Sequence, residues 1–278
     1  MKRIDQETSP FFKFTIFGES GTGKTTLGTT APSPLFLLSE RQGMNSIREA
    51  AQRSAIPIPP VLFMEKMADY GDVLRALHGD KEKPFKVLKK IIEKDDKGKE
   101  EERFETTYVG PWPETVVIDS ITDALNKMYS ELVVEAPPPV QKDGLREMQM
   151  RHWGALRTRC EKLIRLFRDV PLHVVYLALK ESREATESSE PFTGPDLPMK
   201  ALPGVLLGCV NVSGMTRRDT VPMIDSNGNP VVKDGLPMRT YEFSVQTRGP
   251  NYISIKAPMA LGPYENPNIS EWIEKLTK

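Results

Sequence analysis

Cysteine, histidine and net charge are all scarce in this chain. Of 278 residues, two are cysteine and three are histidine. Cys160 and Cys209 lie far apart with no metal-ligand spacing around them, which excludes a disulfide framework and a zinc site built on cysteine. Each sits among apolar neighbours and reads as a small buried hydrophobe. Lysine plus arginine equals aspartate plus glutamate, at 38 each, so no long-range field draws the chain toward a polyanion. Any contact with nucleic acid must use a local patch. No run of roughly 18 apolar residues occurs, and the opening MKRIDQETSP lacks the apolar core of a signal peptide. The expectation is a cytoplasmic protein with no membrane span. No internal repeat is found.

What is present suits a soluble α/β unit. The hydrophobic fraction is 38% and the charged fraction 27%, and 24 prolines point to many ordered loops. The length fits one domain, 1–278, with a flexible N-terminus over 1–10 and an insertion near 80–110. Phe11–Phe17 reads as a buried strand, followed by a glycine turn, a short helix from Lys24 to about Thr30, and a second strand at Leu35–Ser39. Pro60–Met64 reads as a short strand and Asp69–Leu77 as a helix. Across the charged DDKGKEE turn, Val87–Glu93 is expected to pair with Phe104–Val109 as an exposed hairpin. Thr115–Ile118 is an apolar strand ending in Asp119. Glu135–Gly144, with three consecutive prolines, must be a loop.

An amphipathic helix is predicted over Leu145–Arg168, with Trp153, Leu156, Cys160, Leu163, Ile164 and Phe167 on its buried face. His173–Leu179 follows as a buried strand, and Glu181–Gly204 as a long polar loop. Val205–Met215, Tyr241–Gln246 and Tyr252–Ile255 are read as closing strands, with a turn at Asn227-Gly228. A last helix starts at Asn268 with Glu271 three residues on, the pattern of a capping box.

The chemistry concentrates in GESGTGKT, Gly18–Thr25, which fits G-x-x-x-x-G-K-[ST] between a strand and a helix. Gly18, Gly21 and Gly23 free the backbone to turn several N–H groups, with those of Glu19, Ser20, Thr22 and Thr26 around them, toward one anion. The helix N-terminus adds free donors. Lys24 is placed to reach the β- and γ-phosphates of a nucleoside triphosphate, most simply ATP. The Thr25 hydroxyl suits Mg²⁺, a hard cation that prefers oxygen. Asp119 emerges at the carboxyl end of its strand, where ligands sit in open α/β sheets, and is the metal-side acid. The residue after it is Ser120, so a water-positioning glutamate is missing from its commonest place. Glu40, at the end of LFLLSE, is the candidate instead.

The P-loop, the VVIDSITDAL segment and Glu40 together resemble the RecA-like recombination ATPases. The layout is most similar to phage nucleotide-binding proteins grouped as compact RecA-like annealing ATPases, on Trp153-Gly154, Val174–Leu179, Pro195–Pro198 and Arg248. That resemblance implies a RecA-like P-loop NTPase, α/β, with a mainly parallel sheet flanked by helices, a β-hairpin insertion and a β-rich C-terminal edge. It implies ATP hydrolysis with Mg²⁺, action on single-stranded DNA in recombination or annealing, and a homo-oligomer. Within it, Arg248 would reach a neighbour's nucleotide, although the expected lysine is absent from Gln246-Thr247-Arg248-Gly249. The polar sensor strand end is replaced by Ala178-Leu179-Lys180-Glu181, and Lys180 is a possible substitute. DNA-facing segments would be Glu135–Met150 and Glu181–Gly204, carrying Lys142, Arg146, Arg183, Phe192 and Lys200.

Other P-loop classes fit less well. The only Asn-Lys, Asn126-Lys127, is followed by Met-Tyr and not by a guanine-reading x-Asp. The adjacent pair Arg217-Arg218 follows a strand and forms no evident kinase lid. A non-catalytic nucleotide switch stands as the alternative, to be recognised by tight ATP binding without turnover.

Overall fold

A computed structural model describes residues 10–94, 100–135, 148–186, 190–225, 228–233 and 236–278. Strand β1 (Lys13–Gly18) leads through the glycine turn into helix α1 (Lys24–Thr29). There follow β2 (Pro34–Leu38), α2 (Gly43–Arg53), β3 (Val61–Phe63) and α3 (Met67–Leu77). The hairpin β4 (Phe85–Lys94) and β5 (Glu100–Gly110) comes next, then β6 (Thr115–Asp119), α4 (Ile121–Glu135) and α5 (Met150–Arg168). The chain continues with β7 (His173–Arg183), β8 (Phe192–Pro195), α6 (Leu202–Cys209) and β9 (Val212–Pro222). It ends with β10 (Val232–Lys233), β11 (Leu236–Pro237), β12 (Arg239–Gln246), β13 (Tyr264–Glu265) and α7 (Ile269–Thr277).

Among the described residues, nine strands form one sheet in the order β13-β12-β9-β1-β7-β6-β2-β3, with β8 paired to the far end of β7. The run from β9 to β3 is parallel throughout, while β12, β13 and β8 join antiparallel. This is the mainly parallel α/β sheet with a β-rich C-terminal edge that the motif order predicts. The β4–β5 pair stands apart as an antiparallel hairpin.

The strands are apolar on both sides because helices cover both faces. Alternate residues divide the core in two. Leu35, Leu37, Val116, Ile118, Val174 and Tyr176 face α3, α4, α5 and α6. Phe14, Ile16, Phe36, Leu38, Val117, Val175 and Leu177 face the side where Leu27, Ile47, Ile269 and Trp272 are buried. Trp272 is fully buried, lies 6.2 Å from the Phe14 ring and donates its indole N–H to Asn266 O at 2.8 Å. Truncating it to alanine removes about 3–5 kcal/mol. Its helix starts at the predicted cap, with the Asn268 side chain accepting from Glu271 N at 3.3 Å, but the reciprocal half of a capping box is replaced by Asn268 Nδ2 donating to Glu271 Oε1 at 2.9 Å. Both cysteines are free and buried.

Several expectations are corrected. Helices α2 and α4 are additional to the elements read from the sequence. Glu181–Gly204 is no continuous loop, since β7 runs on to Arg183 and pairs with β8. The stretch read as a strand from Val205 is helix α6, with β9 starting only at Val212. Leu202, Leu206 and Cys209 are buried at helical spacing there, and a short apolar run cannot be told from a buried helix by periodicity alone. Tyr252–Ile255 is no strand and makes only isolated bridges, such as Thr193 with Ile253. Helix α5 begins at Met150, and Trp153 is 37% exposed, with His152 taking the buried place beside it. Arg217 and Arg218 lie inside β9 and not after it. Most of Glu135–Gly144 and Asn227 of the expected turn lie outside the described residues. No helix among the described residues is long and apolar enough to cross a membrane.

Candidate nucleotide site

The P-loop joins β1 to α1 at the carboxyl edge of the sheet. Gly21 (φ 73°) and Gly23 (φ 82°) take the left-handed conformation that disfavours any side chain, which lets the loop close over an anion. Gly18 is required for a different reason. A Cβ there would lie 1.9 Å from Thr216 Oγ1 and 2.9 Å from Thr22 Oγ1, so β9 presses directly on the loop. The two hydroxyls meet at 2.7 Å, tying the loop to β9.

Beside the loop lies a cavity of about 450 Å³. It brings together Ser20, Gly21, Gly23, Lys24, Thr25 and Thr26 of the loop with Glu40 and Asp119. Strands β2 and β6 are adjacent and in parallel register, Leu38 beside Asp119, so their ends deliver Glu40 and Asp119 to the same edge. The Thr25 hydroxyl donates to Asp119 Oδ2 at 2.7 Å. Two hard oxygen donors thus converge in a polar cavity, a set that fits Mg²⁺. Burial raises the Asp119 carboxyl above its ordinary range, against which the Thr25 hydrogen bond and the Lys24 charge act. Burial likewise lowers the Lys24 ammonium, opposed by Asp119 and Glu19. Lys24 Nζ donates to the carbonyls of Gly18 at 3.0 Å and Glu19 at 2.7 Å.

The peptide between Asp119 and Ser120 is cis. Ser120 turns inward, 8% exposed, and bonds Asp123. Glu40 is exposed and lines the same cavity. Leu179 lines the cavity, while Lys180 Nζ pairs with Glu19 Oε1 at 2.7 Å. Arg248 is not in this cavity. Its Nη2 donates to Leu261 O at 2.9 Å and Pro258 O at 3.3 Å.

Sequence reasoning missed Thr216, Arg218 and Phe243, which flank the loop from β9 and β12. Nothing local marks them, because a register some 200 residues away in sequence places them there. Of the residues expected to meet DNA, Arg183 stacks over the Phe192 ring at 4.3 Å on the β7–β8 pair. Lys142 and Arg146 lie outside the described residues.

A family model described as an AAA domain matches residues 11–206. No curated protein matches the chain. Among solved structures, an ATPase from the type III secretion system of pathogenic bacteria superposes with a TM-score of 0.37 at 14% identity. That alignment covers 73% of this chain and 51% of the other, so this chain spans about half that protein's length. A second solved structure, the ATPase domain of another protein, gives a TM-score of 0.38 at 8% identity, covering 86% of this chain and 82% of the other. With a family match that runs through both the P-loop and the Asp119 strand, the chain belongs to the AAA-domain family and is a P-loop ATPase.

Proposed function

We propose that this ATPase binds MgATP between the P-loop and Asp119 and couples its hydrolysis to work on single-stranded DNA, in recombination or annealing of the phage type. The observation that carries the nucleotide reading is the 2.7 Å bond from Thr25 to Asp119 in a cavity that the P-loop shares with Glu40. Thr25 and Asp119 would hold Mg²⁺, which supplies charge neutralisation at the phosphate oxygens. Lys24 exchanges its two carbonyl partners for the β- and γ-phosphates. The backbone N–H groups from Glu19 to Thr26 hold the phosphate chain. Glu40 orients the attacking water and accepts its proton.

Support for DNA comes from the resemblance already drawn and from the Arg183–Phe192 stack, a cation and ring of the kind that meets backbone phosphate and base. In a homo-oligomer, Arg248 would leave its two carbonyl partners to reach a neighbour's γ-phosphate. An Arg248→Ala protein that assembles but hydrolyses slowly supports that role, and normal turnover in the assembled form removes it.

The experiment is ATP turnover with and without single-stranded DNA, alongside Lys24→Ala. Turnover that rises with DNA and vanishes in the variant supports the reading. Turnover indifferent to DNA removes the DNA part, and tight ATP binding without turnover favours a nucleotide switch.

A further inference from the structure

The sheet order sets a direction across the P-loop. Strand β1 has β7, β6 and β2 on one side, carrying Asp119 and Glu40, and β9 with β12 on the other. A triphosphate lying across the loop with its terminal phosphate toward Asp119 and Glu40 would have its opposite end on the side of β9 and β12.

That side has an unusual face. Arg218 and Phe243 are direct partners in the antiparallel register of β9 and β12. They sit over the loop: a Cβ on Gly21 would lie 3.8 Å from Arg218 Nη1, and one on Gly23 would lie 3.5 Å from Phe243 Cδ1. Side chains two apart on a strand share a face, so Tyr241 extends the same surface outward from Phe243. The Arg218 guanidinium lies 4.8 Å from the Tyr241 ring centroid. Both rings are solvent-facing, Phe243 at 39% and Tyr241 at 58% exposure. The opposite face of the ribbon carries Asp219 and Glu242, also paired in register, together with Arg217, whose charge Asp219 partly offsets at 3.8 Å.

We propose that Phe243, Tyr241 and Arg218 form the seat for the base and sugar end of the bound nucleotide, with the two rings offering stacking surface and the guanidinium facing the phosphate nearest the sugar. Stacking on ring faces accepts any nucleobase, so the seat recognises an aromatic base attached to a polyphosphate and not one particular base. The inference rests on the reading of the P-loop as the triphosphate site.

The test compares ATP with inorganic tripolyphosphate, both with Mg²⁺, by calorimetric titration of wild type, Tyr241→Ala, Phe243→Leu and Lys24→Ala. Tyr241 is exposed enough to truncate without harm to folding, and leucine at 243 keeps the packing on Gly23 while removing the ring face. The ring variants are expected to lose about fivefold or more in ATP affinity while tripolyphosphate binding is unchanged. ATP affinity that does not move, or ATP and tripolyphosphate falling together, overturns the proposal. So does a loss confined to oligonucleotide binding, which would make the face a nucleic-acid surface. Lys24→Ala tests the underlying reading separately, because it should lose both ligands. If it retains both, the P-loop reading fails, whatever the ring variants show.

Discussion

Lys180 Nζ lies 2.7 Å from Glu19 Oε1, joining β7 to the second residue of the P-loop. The lysine bond, followed by the charges of Lys180, Arg218 and Lys24, holds the Glu19 carboxyl below its usual range. One carboxylate therefore faces three cations that border the phosphate site. Glu19→Gln should release them and tighten ATP binding by up to about fivefold, more at low salt than at high. Titration of ATP at two ionic strengths checks this. An affinity that moves at neither would mark the pair as a surface contact without bearing on the nucleotide.

Asp119 and Glu40 divide between two strands what many P-loop ATPases place on consecutive residues. The residue after Asp119 is a serine, whose hydroxyl bonds Asp123, so that position supplies no carboxylate. Glu40→Gln is expected to bind ATP normally and to turn it over about a hundredfold more slowly. Single-turnover hydrolysis beside an equilibrium binding curve separates the two quantities. A fall in affinity with turnover intact would assign Glu40 to binding alone.

The contact of Gly18 with Thr216 predicts a steric result. Gly18→Ala places a methyl group on a hydroxyl and should destabilise the fold by about 1–3 kcal/mol, with loss of ATP binding. Thr216→Ala in the same chain removes that hydroxyl and should restore part of both. Denaturant midpoints of the single and double variants measure it. Equal stability of Gly18→Ala and wild type would contradict so close an approach.

Lys13 gives a pH dependence unrelated to catalysis. It is 6% exposed on β1, its Nζ donates to Val170 O at 2.8 Å and to Leu172 O, and burial pulls its pKa down to about 8 from 10.5. Between those values the unfolded chain binds the proton and the folded chain does not, so this group adds stability as pH rises through that window and withdraws it as pH falls toward 8. In Lys13→Met that increment should vanish from the difference between the two proteins' unfolding curves, measured across the window from 8 to 10.5. Parallel pH profiles for both would show that Lys13 does not titrate early.

The candidate phosphate site was legible because its parts are local. Gly18–Thr25 must bend at Gly21 and Gly23 and open onto α1, and Asp119 ends an apolar run that can only be a buried strand. The same holds for the α7 cap at Asn268 and for the β4–β5 hairpin, whose partners are close in sequence. The misreadings fall where local pattern is ambiguous. Leu202–Cys209 is as apolar as a strand, and its helical geometry is decided by what it packs against, the β1 and α5 side of the core. The segment near Tyr252 meets Thr193 of β8 only through an isolated bridge, too short a pairing to make a strand.

By itself, then, the sequence determined the strand–turn–helix that presents Lys24 and Thr25, the acid at 119 and the amphipathic stripe of α5. Each follows from backbone geometry and periodicity over a few residues. Tertiary structure alone decided which residues surround that loop. Sheet order put β9 beside β1, and so placed Thr216 against Gly18, Arg218 against Gly21 and Phe243 against Gly23. It also turned Lys180 onto Glu19 and left Leu179 facing the cavity. Hydrogen bonding between strands distant in the chain carries no short-range signal, and the physical neighbours of a site are set by that register.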